Sequence, residues 1–320
     1  MEPVILPSSQ NPLGALPARF RRQRVLIVGC GDVGLRVARA LGAGAAGGRR
    51  QVLALTSSAG RVEALRAAGI TPLVGDLDRP ATLARLAGLA TRVLHLAPPP
   101  AADAGPHAPG RDPRTAALAR ALRRRMPPRA LVYASTSGVY GDCAGQWVDE
   151  TRRLRPTTAR AQRRVDAERS VRSLAAAGVR ASILRVPGIY AADRAGGTPQ
   201  GRLLRGTPVL RDDEDVYTNH IHADDLARAC VLALWRGRAQ RAYNVADASE
   251  LKMGRYLDLA ADLYGLPRPP RVTRAEAPQH LSAMRLSFMD ESRRLVTRRM
   301  QRELRLRLRY PTVVQGLQRG

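Results

Sequence analysis

One segment constrains the fold of this chain more than any other: residues 25 to 34, with the sequence VLIVGCGDVG. Its four leading apolar residues predict a strand buried on both faces, and the apolar spacing after Asp32 predicts a helix. Between them, Gly29 allows a tight turn, Gly31 lets the backbone approach a pyrophosphate, and Gly34 lets the helix pack closely on the strand. The segment therefore predicts a dinucleotide site at a helix N-terminus. The predicted contacts are Gly29, Cys30, Gly31, Asp32, Val33 and Gly34.

Strand and helix patterns continue to alternate after this unit. Apolar strand patterns recur at residues 51–56, 70–74, 92–96 and 130–135, with helical patterns between them. This alternation predicts a Rossmann-type α/β fold with a doubly wound parallel sheet. Ligands of such sheets bind beyond the carboxyl ends of the strands. The residues expected to converge there are Gly29, Thr56, Asp76, Ala97 and Ser135.

The end of the second predicted strand bears on the choice of dinucleotide. An acidic residue at this place would bind the ribose 2′-hydroxyl of NAD. This chain instead has Thr56, Ser57 and Ser58, with Arg61 close behind. Hydroxyl groups and a guanidinium suit a 2′-phosphate better than a free diol, so we expect NADP rather than NAD. The alternative is an ordinary helix N-cap, with Arg61 in solvent.

Residues after the third and fourth strands extend the predicted cofactor cleft. Asp76 is expected to meet the adenine amino group, with Leu77 beside it, while Asp78 caps a helix at residues 81–89. The alternative for Asp76 is a capping role as well. The Pro-, Ala- and Gly-rich segment 97–110 predicts a loop over the cleft. The contacts predicted in that segment are Ala97 and Pro98.

The chain has 320 residues and a net charge of +26, yet it lacks the pattern of a nucleic-acid-binding protein. Lys252 is the only lysine, an arginine bias that suggests GC-rich coding. Two short arginine clusters, at residues 123–125 and 152–155, are expected on the surface. No basic arm or module with interleaved aromatic residues is evident. We therefore expect nonspecific attraction to polyanions at low salt, and no nucleic acid as the primary partner.

Cysteine content and hydropathy bear on location. Cys30, Cys143 and Cys230 are too few and too scattered for a disulfide framework or a metal cluster, which fits a reducing cytoplasm. Residues 1–22 hold scattered prolines and no sustained apolar stretch, so we expect a flexible extension rather than a signal peptide. No run of about 18 apolar residues is present, and no membrane span is expected.

Four further motifs point to a known family. They are STSGVYG at 135–141, ILRVPGIY at 183–190, NHIHADDLA at 219–227 and YNV at 243–245. In order and spacing they resemble the extended short-chain dehydrogenase/reductases, the NAD-dependent epimerase/dehydratase family, over residues 23 to 315. The resemblance implies a Rossmann domain, with Pro187 near the cofactor, and a smaller C-terminal substrate domain. Typical members transfer hydride to or from nucleotide sugars.

The resemblance also exposes a departure from the family's chemistry. A Tyr-x-x-x-Lys pair there exchanges a proton with a substrate hydroxyl, and the lysine lowers the pKa of the tyrosine. If Glu168 aligns with the family's glutamate, these positions hold Arg160 and Arg164, one helical turn apart. An arginine cannot act as proton donor and acceptor near neutral pH. This loss and the tail sequence at 288–295 and 308–312 resemble the YeeZ-like branch, expected to bind NADP with a degenerate active site.

Three residues remain as candidates for catalysis, and two for substrate binding. Thr136 keeps the family's hydroxyl position, or serves only a turn at a strand end. Tyr140 is a candidate replacement acid, or merely contacts substrate or loop, and Asp112 begins a helix where the family usually has asparagine. Arg202 and Arg205 are candidates for gripping a phosphorylated ligand, or are solvated surface.

The remaining charged residues are expected to be structural. His220 and His222 should point to one face of an extended segment and bond the helix start near Asp224; with no third ligand beside them, no metal site is expected. A helix is expected after Asp290, with most charged residues from 291 to 299 on a solvated face.

The expected organisation is a flexible extension at 1–22, an NAD(P)-binding Rossmann domain at 23–190, and a mainly substrate-binding domain at 191–320. Segments near 220–245 should return to the Rossmann core. The favoured function is an NAD(P)-dependent oxidoreductase or epimerase-like enzyme with a degenerate site. Its ligand would be a small hydroxylated or carbonyl compound such as a nucleotide sugar. The alternative is a non-catalytic NADP sensor, and a homo-oligomer is left open.

Overall fold

A computed structural model describes residues 23–45, 50–101 and 110–318. The strands are β1 Gln23–Val28, β2 Arg50–Thr56, β3 Thr71–Val74, β4 Arg92–His95, β5 Ala130–Thr136, β6 Trp147–Val148, β7 Arg180–Val186, β8 Gly188–Tyr190, β9 Val209–Leu210, β10 Tyr217–Thr218, β11 His220–His222, β12 Arg241–Asn244, β13 Leu251–Lys252, β14 Arg271–Val272 and β15 Arg294–Leu295. The α-helices are α1 Asp32–Ala40, α2 Val62–Ala67, α3 Pro113–Arg123, α4 Ala159–Arg172, α5 Gln200–Leu204, α6 Ala223–Arg236, α7 Met253–Tyr264, α8 Ala277–His280, α9 Ala283–Met289 and α10 Val313–Gln318. Short 3₁₀ segments span Ala59–Arg61, Pro80–Leu86, Ser137–Tyr140 and Ser173–Ala177, and a π-helical turn spans Met300–Leu304.

Seven strands form one parallel sheet in the order β3-β2-β1-β4-β5-β7-β12. Val25 of β1 lies opposite Val52 of β2 on one side and Arg92 of β4 on the other. The strand order reverses between β1 and β4, and a ligand crevice forms at such a switch point. The predicted Rossmann-type fold is confirmed, and the glycine loop follows β1 at this crevice.

Alternate residues of β1 enter two apolar layers. Val25 and Ile27 pack with residues of α1 and α6, whereas Leu26 and Val28 pack with residues of α3 and α4. All four are at most 1% exposed. Because helices cover both faces of the sheet, the strand is apolar throughout instead of alternating with polar residues.

A third apolar cluster lies in the C-terminal part of the chain. Tyr190, Leu257 and Val313 belong to it, and α10 packs against α7. Short strand pairs surround it: β8 with β11, β9 with β14 and β10 with β13. The chain nevertheless returns to the main sheet at β12, beside β7. The predicted domain limits stay a prediction, and the predicted extension at 1–22 lies outside the described residues.

Of two predicted helices, one differs in type and extent and the other is wrong. The segment predicted at 81–89 is a 3₁₀ helix, Pro80–Leu86. The segment after Asp290 is extended, because β15 pairs with β6 in parallel. Asn219 holds this segment from both sides: its Nδ2 donates to the carbonyl of Arg293 at 2.9 Å, and its Oδ1 accepts from the amide of Leu295 at 2.9 Å. Tertiary pairing thus overrides the local helical spacing.

No helix in the described part of the chain combines the length and apolarity needed to cross a bilayer.

Candidate functional site

The glycine loop shows three different steric constraints. Gly29 has a φ of +88°, and a Cβ there would lie 2.4 Å from the backbone nitrogen of Ala97. A Cβ on Gly34 would lie 3.2 Å from Sγ of Cys30, whereas one on Gly31 would meet no atom within 4 Å. The protein's own packing therefore requires Gly29 and leaves little room for a side chain at Gly34. Gly31 faces open space at the start of α1, which a dinucleotide pyrophosphate fits.

Arg61 reaches this loop from the segment after β2. Its Nη2 donates to the carbonyl oxygen of Cys30 at 2.8 Å. The Thr56 hydroxyl is engaged within its own turn, 3.3 Å from the amide and 3.2 Å from the carbonyl of Ser58. Ser57 is exposed. A guanidinium and an exposed hydroxyl thus lie beside the loop, while Thr56 supports the turn.

The residues after β3 form a closed turn. Oδ1 of Asp76 accepts from the amide of Asp78 at 3.0 Å, and the Asp78 carboxylate binds both ends of the Arg114 guanidinium at 2.7 and 2.6 Å. The N-cap of the 3₁₀ helix that follows is Arg79, so Asp78 is not at the capping position that the sequence predicts. Leu77 packs against the apolar layer beside α3.

The other predicted cofactor contacts lie at strand ends. The amide of Ala97 donates to the carbonyl of Val28 at 3.0 Å, which holds Ala97 against the glycine loop. The carbonyl of Pro98 accepts from Arg114 at 3.3 Å. Pro187 follows β7 and lines the cavity described below. Residues 102–109 of the predicted covering loop lie outside the described residues.

A buried arginine that the sequence analysis did not identify joins α1 to the C-terminal part. Arg36 is 5% exposed and binds three carboxylates, those of Asp32 at 3.0 Å and of Asp193 and Asp224 at 2.5 Å each. Arg194 pairs with the second oxygen of Asp32 at 3.3 Å. Asp32, the first residue of α1, is therefore paired with two arginines beside the predicted phosphate site, and one of them, Arg36, is shared with Asp193 and Asp224.

A cavity of about 420 Å³ opens beyond the carboxyl ends of β5 and β7. Thr136 and Pro187 line it from the sheet, and Arg160 lines it from α4. The predicted alignment places Arg160 and Arg164 one turn apart on α4, but their side chains diverge. Arg164 donates to the carbonyl of Ala134 at 2.7 Å, below the cavity, whereas Cζ of Arg160 lies 4.6 Å from the ring centroid of Phe288. Burial and the neighbouring Arg164 lower the pKa of Arg160.

The three candidate catalytic residues differ in access to this cavity. Thr136 lines it, and its hydroxyl accepts from the amide of Gly138 at 3.3 Å. Tyr140 is 1% exposed; its hydroxyl donates to Asn244 at 2.7 Å and accepts from Arg185 at 2.9 Å. Burial raises the pKa of Tyr140 to about 12. This placement argues against the predicted acid–base role of Tyr140.

Asp112 is the N-cap of α3, as its position before Pro113 predicts. It is 1% exposed, and its carboxylate accepts from the amides of Arg114 and Thr115 and from the Thr115 hydroxyl. Burial raises its pKa despite these hydrogen bonds. The structure thus gives Asp112 a capping role, and its catalytic role stays a prediction.

Ser135 turns away from the crevice, because its hydroxyl donates to Oε1 of Glu168 at 2.7 Å and the side chain is buried. Of Ser135, therefore, only the backbone is left to face the site at which the strand ends converge.

The two arginines predicted to bind substrate differ in their access to the cavity. Arg202 lines the cavity, whereas Arg205 is exposed outside it. Two further cavity residues, Arg285 and Phe288, were missed by the sequence analysis. They are three residues apart on α9 and so share a face, a spacing that could have identified them once a helix was assigned there.

The two histidines have different surroundings. Nδ1 of His222 accepts from the amide of Asp224 at 3.2 Å, so its predicted bond to the helix start is confirmed. His220 instead lines the cavity with its ring 4.1 Å from that of Tyr256, and burial lowers its pKa to about 4. For His220 the predicted bond to the helix start is wrong.

This strand order, with a glycine loop after the first strand and a cavity beyond the strand ends, defines a Rossmann-type α/β protein. The model of the NAD dependent epimerase/dehydratase family matches residues 25–246, and the chain belongs to that family. The YeeZ-like branch stays a prediction, and no curated protein matches the chain.

Solved structures resemble the whole described fold. A functionally unknown conserved protein from Silicibacter pomeroyi is 30% identical with a TM-score of 0.75, over 93% of this chain and 97% of that one. UDP-glucose 4-epimerase from Thermotoga maritima, solved with UDP-glucose, is 18% identical with a TM-score of 0.74, over 92% and 96% of the two chains. MoeE5, solved with UDP-glucose and NAD, is 23% identical with a TM-score of 0.70 and the same coverage. At these lower identities the last two likenesses concern the fold alone.

Proposed function

We propose that this protein binds NADP(H) at the glycine loop and presents a small hydroxylated or carbonyl ligand to it from the cavity. The observation that carries the proposal is the open space at Gly31, between Gly29, where a side chain would clash with backbone, and Gly34, where a side chain would be tight. The NAD-bound structures of similar fold, such as that of MoeE5, support a nicotinamide dinucleotide as the class of cofactor. Arg61 beside the loop supports the 2′-phosphate form.

Different residues of the chain would bind the cofactor and orient the ligand. The backbone from Gly29 to Val33 and the start of α1 would hold the pyrophosphate, with Arg61 and Ser57 at the adenosine ribose. When bound, the nicotinamide supplies hydride transfer. Thr136 would orient a ligand oxygen from the cavity wall. Arg160 donates hydrogen bonds but exchanges no proton near neutral pH, so the family's acid–base step is expected to be weak.

That replacement also favours a second function, a protein that binds the dinucleotide without turnover. Arg160 lines the cavity, and the resemblance implies that it stands in place of the family's proton-transferring tyrosine. Both functions require the same cofactor site.

Calorimetry with NADPH and NADH tests the shared site. We expect NADPH to bind more tightly than NADH. Arg61→Ala should narrow this difference in affinity, because a charge-assisted contact to the 2′-phosphate is lost. Gly31→Val should abolish binding of both while leaving the thermal unfolding temperature nearly unchanged, since its Cβ meets open space. Arg66→Ala, an exposed arginine on α2, is the matched control. Undiminished binding by Gly31→Val would overturn the proposal, and equal affinities in the unmutated protein would overturn the choice of NADP.

A further inference from the structure

The cavity beyond β5 and β7 is lined by five arginines and by one acidic residue, Glu291. Arg160, Arg202 and Arg285 all line it, and none forms an ion pair with any residue in the described ranges. Arg293, by contrast, pairs with Glu291 at 2.8 Å, and Arg194 pairs with Asp32. Arg160, Arg202 and Arg285 are therefore the arginines of the cavity wall that no carboxylate of the described residues pairs with.

Arg202 and Arg285 form one cationic position. Among the described residues, the side chain of Arg202 makes one hydrogen bond, a long one of 4.0 Å to Sδ of Met253, and its Nε is buried without a partner. Arg285 makes one long contact, 3.4 Å to the Thr207 hydroxyl. Burial, and next the charge of Arg285, lower the pKa of Arg202. Two cations held together without an acid leave strong donors for an anionic ligand to satisfy.

Arg160 forms a second cationic position on the same cavity. It lies over the ring of Phe288, which is 44% exposed despite its apolar character. Phe288 and Arg285 are three residues apart on α9, so the two positions border adjacent parts of one helix face. An exposed aromatic ring beneath an arginine is a surface that a bound ligand would cover.

We propose that the cavity binds a small ligand with two acidic groups, each a carboxylate or phosphate, one at Arg202 and Arg285 and the other at Arg160. This inference rests on the proposed function, because it specifies the ligand presented to the cofactor. The second acidic group would lie at the position that the resemblance assigns to the family's tyrosine. A cavity of about 420 Å³ suits a compact ligand of this kind.

Calorimetry at fixed ionic strength, with NADPH present, tests the proposal with defined probes. Succinate and 3-phosphoglycerate carry two acidic groups and distinguish carboxylate from phosphate, acetate carries one, and succinamide is a neutral match for succinate. We expect at least one dianion to bind, at least about tenfold more tightly than acetate, and succinamide not to bind. Arg160→Gln and Arg285→Gln should each weaken dianion binding about tenfold or more, and Arg160→Lys should weaken it less than Arg160→Gln.

Arg255→Gln is the matched control, since Arg255 is exposed on α7 and lies outside the cavity. It should leave dianion binding unchanged. The proposal is overturned if neither dianion binds, if succinamide binds as well as succinate, or if Arg255→Gln weakens binding as much as the cavity variants do. NADPH affinity measured on the same samples distinguishes a failure of this inference from a failure of the proposed cofactor site. Loss of dianion binding with NADPH binding retained contradicts only this inference, whereas absence of NADPH binding contradicts the proposed cofactor site.

Discussion

Asp247, two residues after the Tyr-Asn-Val motif, is a carboxylate that the fold leaves poorly solvated. It is 8% exposed; Oδ1 accepts from the amide of Ser249 at 2.9 Å, and Oδ2 has no hydrogen-bond partner among the described residues. Burial raises its pKa to about 7, against an ordinary value of 3.8. The folded state therefore holds a proton that the unfolded chain releases at lower pH.

This raised pKa predicts a pH dependence of stability. The stabilisation of the folded state by the protonated Asp247 carboxyl is fully present below about pH 4. It is lost as the pH rises towards 7, because the unfolded state binds fewer protons than the folded state in that window. At roughly 1.36 kcal/mol per pKa unit, the loss approaches about 4 kcal/mol. Asp247→Asn should remove it, so urea unfolding of the variant and the unmutated protein should diverge between pH 4 and 7. Exposed Asp213→Asn serves as control, and parallel pH profiles for Asp247→Asn would contradict the prediction.

At the scale of elements, Arg36 connects parts of the chain that are far apart in sequence. It stands on α1, while Asp193 lies in the loop after β8 and Asp224 in the first turn of α6. Arg194, the neighbour of Asp193, lines the cavity. One buried guanidinium thus links the helix that follows the glycine loop to the loop that borders the cavity.

Arg36→Met should therefore destabilise the fold beyond the usual effect of a surface arginine. Removing one partner of a buried ion pair costs about 3–5 kcal/mol, and here the three carboxylates keep some solvent. We expect the free energy of unfolding to fall by about 2–3 kcal/mol in urea titrations. Arg66→Met, which breaks the exposed pair with Glu63, should cost less than about 1 kcal/mol. Equal losses in the two variants would show that Arg36 contributes no more than a surface residue.

Elements formed by local pattern could be predicted, and those fixed by distant partners could not. The strand, glycine loop and α1 lie within 20 consecutive residues, and the signal is the local sequence itself. The extended segment around Leu295 depends instead on β6 and on Asn219, both far away in the chain. The ion pairs of Arg36 could not be predicted for the same reason, because Asp193 and Asp224 are distant from α1 in the sequence. Local reasoning therefore predicted the glycine loop but missed Arg36 and, in the cavity wall, Arg285 and Phe288.

At the scale of the whole molecule, the charge of +26 is distributed rather than gathered into one site. Some buried acids, such as Glu168, are paired with arginine, and many arginines are exposed on the surface. The two arginine clusters predicted from the sequence are exposed, at Arg123, Arg124, Arg125, Arg152, Arg153 and Arg155. A distributed cationic surface attracts polyanions without reading a sequence.

We therefore expect weak, sequence-independent binding of nucleic acid that salt removes. A labelled DNA duplex of arbitrary sequence should bind at about 50 mM salt in fluorescence anisotropy and lose about 100-fold or more in affinity by about 200 mM, because binding releases condensed counterions. Replacing Arg123, Arg124 and Arg125 by glutamine should reduce the slope of log affinity against log salt by up to about 3. NADPH at saturating concentration should leave DNA binding unchanged, since its proposed site is the glycine loop. A duplex bound in a sequence-specific manner at about 200 mM salt would contradict this expectation and make nucleic acid a primary partner.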